Sequence, residues 1–303
     1  MKCIAISLGD LNGIGIELAL RYHNHIKEIV HPLYAIDEKM LQQAAQLLKL
    51  TIPNDFKTIS PEVETFEIIP ATISAKSGAY SYASFAKAVA LAKEGEVDAI
   101  VTLPIHKKAW ELAGIEYKGH TDALRDFFQA EAIMMLGCEK MFVALYTEHI
   151  PLKEVAKSIN EKDLTRFLID FYTAIEPDKR VAVLGLNPHA GDDGVLGDEE
   201  QIIRQAIAQA ERDIGKSIFS EPLVPDIAFT PRVRANYTHY IAMYHDQGLA
   251  PLKALYFDEG INISLNLPIL RTSVDHGTAF DIAYKGVELS GLSYLNAVRY
   301  CVE

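Results

Sequence analysis

The opening segment KCIAISLGDLNGIGIELAL (residues 2–20) combines three local patterns that together decide the fold. Residues 2–8 alternate and are partly β-branched, which predicts a strand. Residues 9–15 contain three glycines and predict a turn, and residues 16–20 are helix formers. A strand, a glycine turn and a helix in this order present backbone N–H groups at a helix N-terminus. The spacing does not match the dinucleotide fingerprint GxGxxG, so a tight turn without a ligand is an equal alternative.

The same alternation continues along the chain. Further strands are predicted at residues 33–36, 66–69, 97–103, 180–185, 226–230 and 241–244, and a pair of strands at 132–136 and 141–146. Helices are predicted at residues 39–50, 77–94, 123–128, 162–174 and 199–214. Alternation at this spacing predicts a doubly wound α/β fold, in which ligands bind at the carboxyl ends of strands.

Composition limits the class of protein. A chain of 303 residues, 49% hydrophobic and 23% charged, has room for two globular domains or one large α/β unit with a cleft. The net charge of −12 argues against broad nucleic-acid binding, although a local basic pocket for phosphate remains compatible with it.

The spacing of the cysteines and the length of the apolar runs indicate where in the cell the protein is expected. Three distant cysteines (Cys3, Cys138 and Cys301) without a CxxC pair predict neither a disulfide framework nor a cysteine-based zinc site, which fits a reducing cytoplasm. The N-terminal apolar run is too short for a signal peptide, and no run reaches the length of a membrane span. We therefore expect a cytoplasmic protein without membrane partners.

Polar residues follow one predicted strand and precede one predicted helix. Thr102, His106 and Lys107 come at or just after the strand at residues 97–103. In KGHTD (118–122), His120 lies beside residues that could cap a helix, a position suited to an anion. The alternatives are a solvated cation at Lys107 and capping alone at 118–122.

Three histidines, His149, His189 and His245, each follow an apolar strand-like run. Three imidazoles with an open fourth position are what a catalytic Zn²⁺ or a similar ion requires. The residues are scattered in sequence, so spacing alone leaves open that each is a hydrogen-bonded core histidine.

Residues 244–283 contain the densest group of chemically capable side chains. The segment carries His245, Asp246, Lys253, Asn262, Arg271, Asp275, His276, Thr278 and Asp281. This mixture supplies metal or proton ligands, cations for an anionic substrate and a turn for a cofactor, and is typical of an active site. The alternative is a buried strand pair joined by polar loops.

Several motifs together resemble one enzyme family. They are GDLNGIGIEL (9–18), TLPIHK (102–107), KGHTD (118–122), TEHIPL (147–152), NPHAGDDGVLGDEE (187–200), MYHDQGLAPLK (243–253) and NISLNLPILRTSVDHGTAFDIA (262–283). The chain is similar to the 4-hydroxythreonine-4-phosphate dehydrogenases of vitamin B6 biosynthesis, which belong to the wider isocitrate/isopropylmalate dehydrogenase-like fold. That fold has two α/β/α domains with a cleft between them, which we expect at residues 1–105 plus 265–303 (cofactor side) and 106–264 (metal and dimerisation).

The resemblance implies an NAD- or NADP-dependent oxidation and decarboxylation of 4-phosphooxy-L-threonine to 3-amino-2-oxopropyl phosphate. It also implies a homodimer whose active site lies at the subunit interface, with one divalent ion (Zn, Mg or Co) held by histidines from both chains. The implied metal ligands are His149, His189 and His245. The implied substrate contacts are His120, Thr121, Lys253, Asn262 and Arg271, and the implied cofactor contacts are His276, Gly277 and Thr278. Asp246 is the nearest candidate proton acceptor by sequence.

The opening turn departs from the family pattern. Leu11 and Asn12 stand where the family often has Pro-Ala, and Ile16 stands where Pro is common. Three other functions stay open at this stage: a related dehydrogenase of a phosphorylated four-carbon sugar acid, a phosphotransacylase without a metal, and a non-catalytic phosphate-binding protein.

Overall fold

Two α/β units divide the chain in the computed structural model, which describes residues 1–302. The first unit comprises Met1–Ala130, Ile261–Ile263 and the described residues from Leu267 onward, and the second comprises Glu131–Gly260 and Ser264–Asn266. The first unit therefore continues to residue 130, whereas a boundary after residue 105 is expected from the sequence. The reason is packing, because Trp110 and Leu124 share one hydrophobic core with Phe85. Glu303, included in the expected first domain, lies outside the described residues.

The first unit contains five strands and six helices. The strands are β1 (Cys3–Ser7), β2 (His31–Ala35), β3 (Thr58–Ile59), β4 (Ala99–Thr102) and β10 (Leu270–Val274). The helices are α1 (Gly15–Ile26), α2 (Glu38–Leu48), α3 (Ala75–Lys93), α4 (Lys107–Leu112), α5 (His120–Phe128) and α12 (Leu292–Tyr300). Strand β9 (Ile261–Leu265) has its first three residues in this unit and its last two in the second.

The second unit contains four strands and the remaining helices. The strands are β5 (Ile133–Cys138), β6 (Met141–Leu145), β7 (Ala182–Val183) and β8 (His239–Ala242). The helices are α6 (Leu152–Ser158), α7 (Glu161–Ile175), α8 (Glu199–Ile214), α9 (Pro225–Ala228), α10 (Pro231–Arg234) and α11 (His245–Tyr256), with a 3-10 segment at Pro188–Gly194.

The order and direction of the strands determine at which edge of the sheet the candidate loops lie. In the first unit the order β3-β2-β1-β4-β10 is parallel throughout, so β1, β4 and β10 end at the same edge. In the second unit, β5 and β6 form an antiparallel hairpin, and β6, β8 and β7 lie parallel in that order. The carboxyl ends of β6, β8 and β7 are therefore also at one edge.

Buried apolar side chains explain why helices pack against the sheet in each unit. Ile4, Ile6, Ile100 and Val101 are fully buried in the first sheet. In the second unit, α11 packs on the sheet at Gly248, where an added Cβ would collide with Val143. Buried strands with helices packed against them match the predicted doubly wound α/β class.

Two predicted strands are wrong. Residues 66–69 form no strand because their backbone groups bond to side chains: the Ile68 N–H donates to Gln43 Oε1 (2.5 Å) and the Ile69 N–H to Asn12 Oδ1 (3.0 Å). Residues 226–230 form no strand, because residues 226–228 belong to α9, whose first position is Pro225. The fixed φ of proline suits a helix start.

Among residues 1–302, no helix combines the length and the apolar character that crossing a membrane requires.

Candidate functional site

The loops after β1, β4 and β10 are joined by backbone hydrogen bonds at one edge of the first unit. The Asp10 N–H donates to the Pro104 carbonyl (2.9 Å), and the Ile14 N–H donates to the Thr278 carbonyl (3.1 Å). The sequence predicted ligand residues after the strand at 97–103 and within residues 244–283, and it left the turn at 9–15 open. The structure brings the three loops together.

The glycine turn at residues 9–15 anchors two further segments. The Asn12 side chain donates to the Thr72 carbonyl (2.7 Å) and accepts from the Ile69 N–H (3.0 Å), which clamps the loop before α3. A Cβ at Gly13 would lie 2.7 Å from the Thr278 carbonyl oxygen. Asn12, a departure from the family pattern, therefore has a structural role, and Gly13 permits the close approach of the loop that carries Thr278.

Asp10 is a buried carboxyl group that sequence reasoning did not single out. It accepts hydrogen bonds from the Asn12 N–H (3.0 Å) and the Ser77 hydroxyl (3.2 Å). Burial raises the pKa of Asp10, and these two hydrogen bonds and the nearby His106 oppose the shift. Its position directly after β1 was a sequence signal, but its partner Ser77 lies on α3.

Arg271 provides a buried cation on β10. Its side chain is 2% exposed and donates through Nε (3.1 Å) and Nη2 (2.7 Å) to Thr102 Oγ1 at the end of β4. Burial lowers the pKa of Arg271 to about 9 because the charged form has lost water. A dehydrated and oriented guanidinium is well suited to a carboxylate or phosphate.

His120 lies close to this cation at the start of α5. Its ring packs edge-on against Phe85 (4.8 Å between centroids) and Trp110 (5.6 Å). Burial, with added repulsion from Arg271 and Lys107, holds the pKa of His120 well below its usual value. His120 is therefore neutral at pH 7 and able to share a hydrogen bond with a ligand.

Two of the predicted substrate residues have buried polar atoms without a hydrogen-bond partner. These atoms are His120 Nε2 and Asn262 Oδ1, among the described residues. Buried polar groups normally have partners, so each such exception needs an explanation, and a missing ligand is one. Thr121, next to His120, is also buried.

The predicted cofactor residues follow β10. His276 is half-buried with a pKa lowered by burial, Gly277 is exposed, and Thr278 is buried. The Tyr284 hydroxyl donates to the Leu11 carbonyl (2.6 Å), so the segment is tied to the glycine turn a second time. The opening turn and the predicted cofactor loop are therefore held together by two hydrogen bonds.

The loops after β6, β8 and β7 carry His149, His245 and His189 at one edge of the second unit. The Thr147 hydroxyl donates to the Met243 carbonyl (2.7 Å), which joins the ends of β6 and β8. Gln247 accepts from the Met243 N–H (2.7 Å) and donates to the Gly185 carbonyl (2.6 Å), which joins β8 to the segment after β7.

His149 and His245 lie together within one chain, with ring centroids 5.5 Å apart. Asp246 is bonded to His245, with Oδ1 at 2.7 Å from Nδ1. A carboxylate on one ring nitrogen fixes the tautomer and leaves the other nitrogen for a metal. Over residues 1–302, no group of three or more His, Cys, Asp or Glu side chains is close enough to hold an ion.

His189 lies in an unusual backbone segment. Residues 189–193 all have positive φ, between 45° and 80°, and four of them are not glycine. Left-handed geometry costs a non-glycine residue roughly 1–2 kcal/mol, so neighbouring contacts must hold this segment in place. Lys253, the remaining predicted substrate residue, is half-buried on α11, two turns after His245.

The sequence resemblance implies that the loop with Thr278 contacts the cofactor. If so, we expect Gly13→Ala to weaken NAD⁺ and NADP⁺ binding by about 10–100-fold, because the added methyl group displaces this loop and a shift of about 1 Å can have effects of this size. Titration of each nucleotide would measure the change, with circular dichroism to show that the variant is folded. Unchanged affinity for both nucleotides in the folded variant would contradict this role of the loop.

The fold and site together define an α/β protein with candidate ligand loops at the carboxyl ends of parallel strands. The sequence profile described as "Pyridoxal phosphate biosynthetic protein PdxA" matches residues 28–301. A 4-hydroxythreonine-4-phosphate dehydrogenase of Sulfurimonas denitrificans is 58% identical over 299 residues, which cover 99% of this chain and 96% of that protein.

Solved structures agree with this result. The 4-hydroxythreonine-4-phosphate dehydrogenase of Burkholderia phymatum is 32% identical with a TM-score of 0.82, covering 99% of this chain and 97% of that one. The enzyme of the same name from Klebsiella pneumoniae is 33% identical with a TM-score of 0.81, covering 100% and 99%. The chain belongs to the PdxA family of pyridoxal phosphate biosynthetic proteins, and the predicted family and fold class are confirmed.

Proposed function

We propose that this protein is an NAD(P)-dependent 4-hydroxythreonine-4-phosphate dehydrogenase. The observation that carries the proposal is family membership over nearly the full chain, with relatives that bear this name. The reaction oxidises the secondary alcohol of 4-phosphooxy-L-threonine: a hydride passes to NAD(P)⁺ and the hydroxyl proton is released. The resulting β-keto carboxylate then loses CO₂, and the enolate takes up a proton to give 3-amino-2-oxopropyl phosphate.

The residues of the first unit fit an anionic substrate. Arg271 offers a buried, oriented guanidinium, which can bind a phosphate or carboxylate in a two-pronged manner. His120 Nε2 and Asn262 Oδ1 are buried polar atoms that a ligand would satisfy. We assign these residues, with Thr121 and Lys253, to substrate binding.

The nicotinamide, when bound, supplies the hydride acceptor. We assign His276, Gly277 and Thr278 to its binding, and this is supported by their place after the carboxyl end of β10, where ligands bind in folds of this class. The glycine turn holds this loop through Thr278 and Tyr284.

The histidines of the second unit fit a divalent ion. His149 and His245 offer two imidazoles 5.5 Å apart, and imidazole is a good ligand for Zn²⁺ and Co²⁺. When bound, such an ion would lower the pKa of a substrate hydroxyl and stabilise developing negative charge. Asp246 holds His245 through Nδ1 and remains our candidate acceptor of the alcohol proton.

We propose that the third imidazole, His189, comes from the partner subunit of a homodimer. The proposal is supported by the pairing of His149 with His245 inside one chain. It is also supported by exposed apolar side chains: Ile150 and Leu152 follow His149, and Val195 and Leu196 follow His189.

An assay of nicotinamide reduction tests the function. The purified protein is incubated with 4-phosphooxy-L-threonine and NAD⁺ or NADP⁺, and compared with threonate and erythronate phosphates. We expect reduced nicotinamide and CO₂ in equal amounts from 4-phosphooxy-L-threonine. Reduction with a sugar-acid phosphate alone, or acyl transfer between acetyl phosphate and coenzyme A without any reduction, would contradict the proposal.

A further inference from the structure

Glu200 is a buried carboxylate in the first turn of α8. It is 2% exposed, and Oε1 accepts from the backbone N–H groups of Leu186 (2.8 Å) and Asn187 (2.7 Å). Its other oxygen accepts from the Asn187 side-chain amide (3.0 Å). No Lys, Arg or His within residues 1–302 forms an ion pair with Glu200, so N–H donors and the positive end of the helix stabilise its charge.

These contacts hold the backbone that carries His189. Asn187 precedes His189 by two residues, and the Asn187 carbonyl accepts from the Ala190 N–H (3.0 Å). On the far side of His189, a Cβ at Gly191 would lie 2.6 Å from Glu200 Oε2, so the left-handed segment lies directly against the carboxylate. Glu200 therefore contacts the chain on both sides of the histidine.

We propose that Glu200 is a positioning residue for His189 and sets the backbone from which this imidazole reaches a divalent ion. The inference rests on the proposed function, because His189 is a ligand only in that assignment. A left-handed segment with four non-glycine residues persists only where its surroundings fix it. The Glu200 hydrogen bonds to Leu186 and Asn187 hold the chain directly before this segment. Conformational freedom at residues 186–191 would lower the affinity for the ion, since a flexible ligand must be ordered on binding.

The test uses Glu200→Gln, which keeps the shape but replaces one of the two acceptor oxygens with an NH₂ donor, so that one of the N–H groups around Glu200 loses its acceptor. Glu211→Gln is the matched control. Glu211 lies near the other end of α8, where its carboxylate accepts from the backbone N–H groups of Ile218 (2.7 Å) and Phe219 (2.9 Å). In both variants a carboxylate that accepts from two backbone N–H groups is replaced by an amide, and only Glu200 lies next to the segment with His189.

Two readouts apply to the intact protein. Zn²⁺ and Co²⁺ affinity is measured by competition with a chelator, and amide hydrogen exchange is measured on the metal-free protein. We expect Glu200→Gln to lower metal affinity by about 10–100-fold and to speed exchange at residues 186–191. Glu211→Gln should speed exchange near residues 218–219 only, with unchanged metal affinity.

A double-variant cycle separates positioning from general destabilisation. If Glu200 acts through His189, Glu200→Gln should cause no further loss of affinity in a His189→Ala background. An equal loss in both backgrounds, or wild-type affinity in Glu200→Gln, would overturn the inference while His189→Ala still supports the ligand set. Wild-type affinity in His189→Ala itself would show that the proposed ligand set is wrong, and the inference would fall with it.

Discussion

Replacing His245 with alanine is expected to abolish binding of the proposed divalent ion and to lower turnover on the order of 1,000-fold or more. His245 lies 5.5 Å from His149 between ring centroids, and Asp246 fixes its tautomer, so the replacement removes one of the two paired and oriented imidazoles. Metal content measured by elemental analysis and initial rates of nicotinamide reduction would together test the expectation.

His239→Gln is the matched control for this variant. His239 begins β8, the strand that leads to His245, and lies between the rings of Phe142 and Phe171. Burial lowers its pKa to about 4, so it is a neutral packing residue. We expect metal content and turnover to stay within a few-fold of wild type, and a full-activity, metal-free His245→Ala protein would contradict the assignment.

Arg271→Ala is expected to raise KM for the phosphorylated substrate by about 30–5,000-fold, with NAD⁺ and NADP⁺ affinity unchanged. The range corresponds to about 2–5 kcal/mol, the usual loss when a desolvated charge-assisted contact is removed. Arg271→Lys keeps a charge but lacks the planar fork, so it should recover only part of the binding. Steady-state kinetics and nucleotide titration give the two quantities separately.

Arg299→Lys provides the control for Arg271. Arg299 is exposed on α12 and donates to the Asn296 side chain (3.2 Å), so its replacement should leave KM unchanged. A selective loss of nucleotide affinity in Arg271→Ala, with normal substrate KM, would place Arg271 at the cofactor instead.

The positions of the three histidines and of the glycine turn could be predicted from sequence because each follows an apolar run. His149, His189 and His245 do follow three parallel strands, and the glycine turn does follow β1. Buried strands produce such runs directly, so their ends are readable without knowledge of the partner strands.

The contacts that hold these residues could not be predicted. Glu200 and Asn187 meet only because a loop folds back on the start of α8, and Thr102 meets Arg271 across 169 positions of sequence. The same limitation explains the strand wrongly predicted at residues 66–69, whose backbone bonds to the distant side chains of Gln43 and Asn12. Local pattern contains no information about such pairs.

Subunit exchange between inactive variants tests the shared metal site most directly. Mixed dimers of His189→Ala and His245→Ala would carry one complete site if His189 acts on the partner's His149 and His245, and one site that carries both replacements. Half of the dimers in an equal mixture are mixed, so about a quarter of wild-type activity should return.

The same experiment with His149→Ala and His245→Ala is the control in which no complete site is expected. Because these two histidines pair within one chain, neither site of the mixed dimer is complete, and no activity should return. Exchange is verified by mass spectrometry of differently tagged subunits. The account predicts recovery in the first mixture and none in the second; recovery in the second, or none in the first after verified exchange, would contradict it.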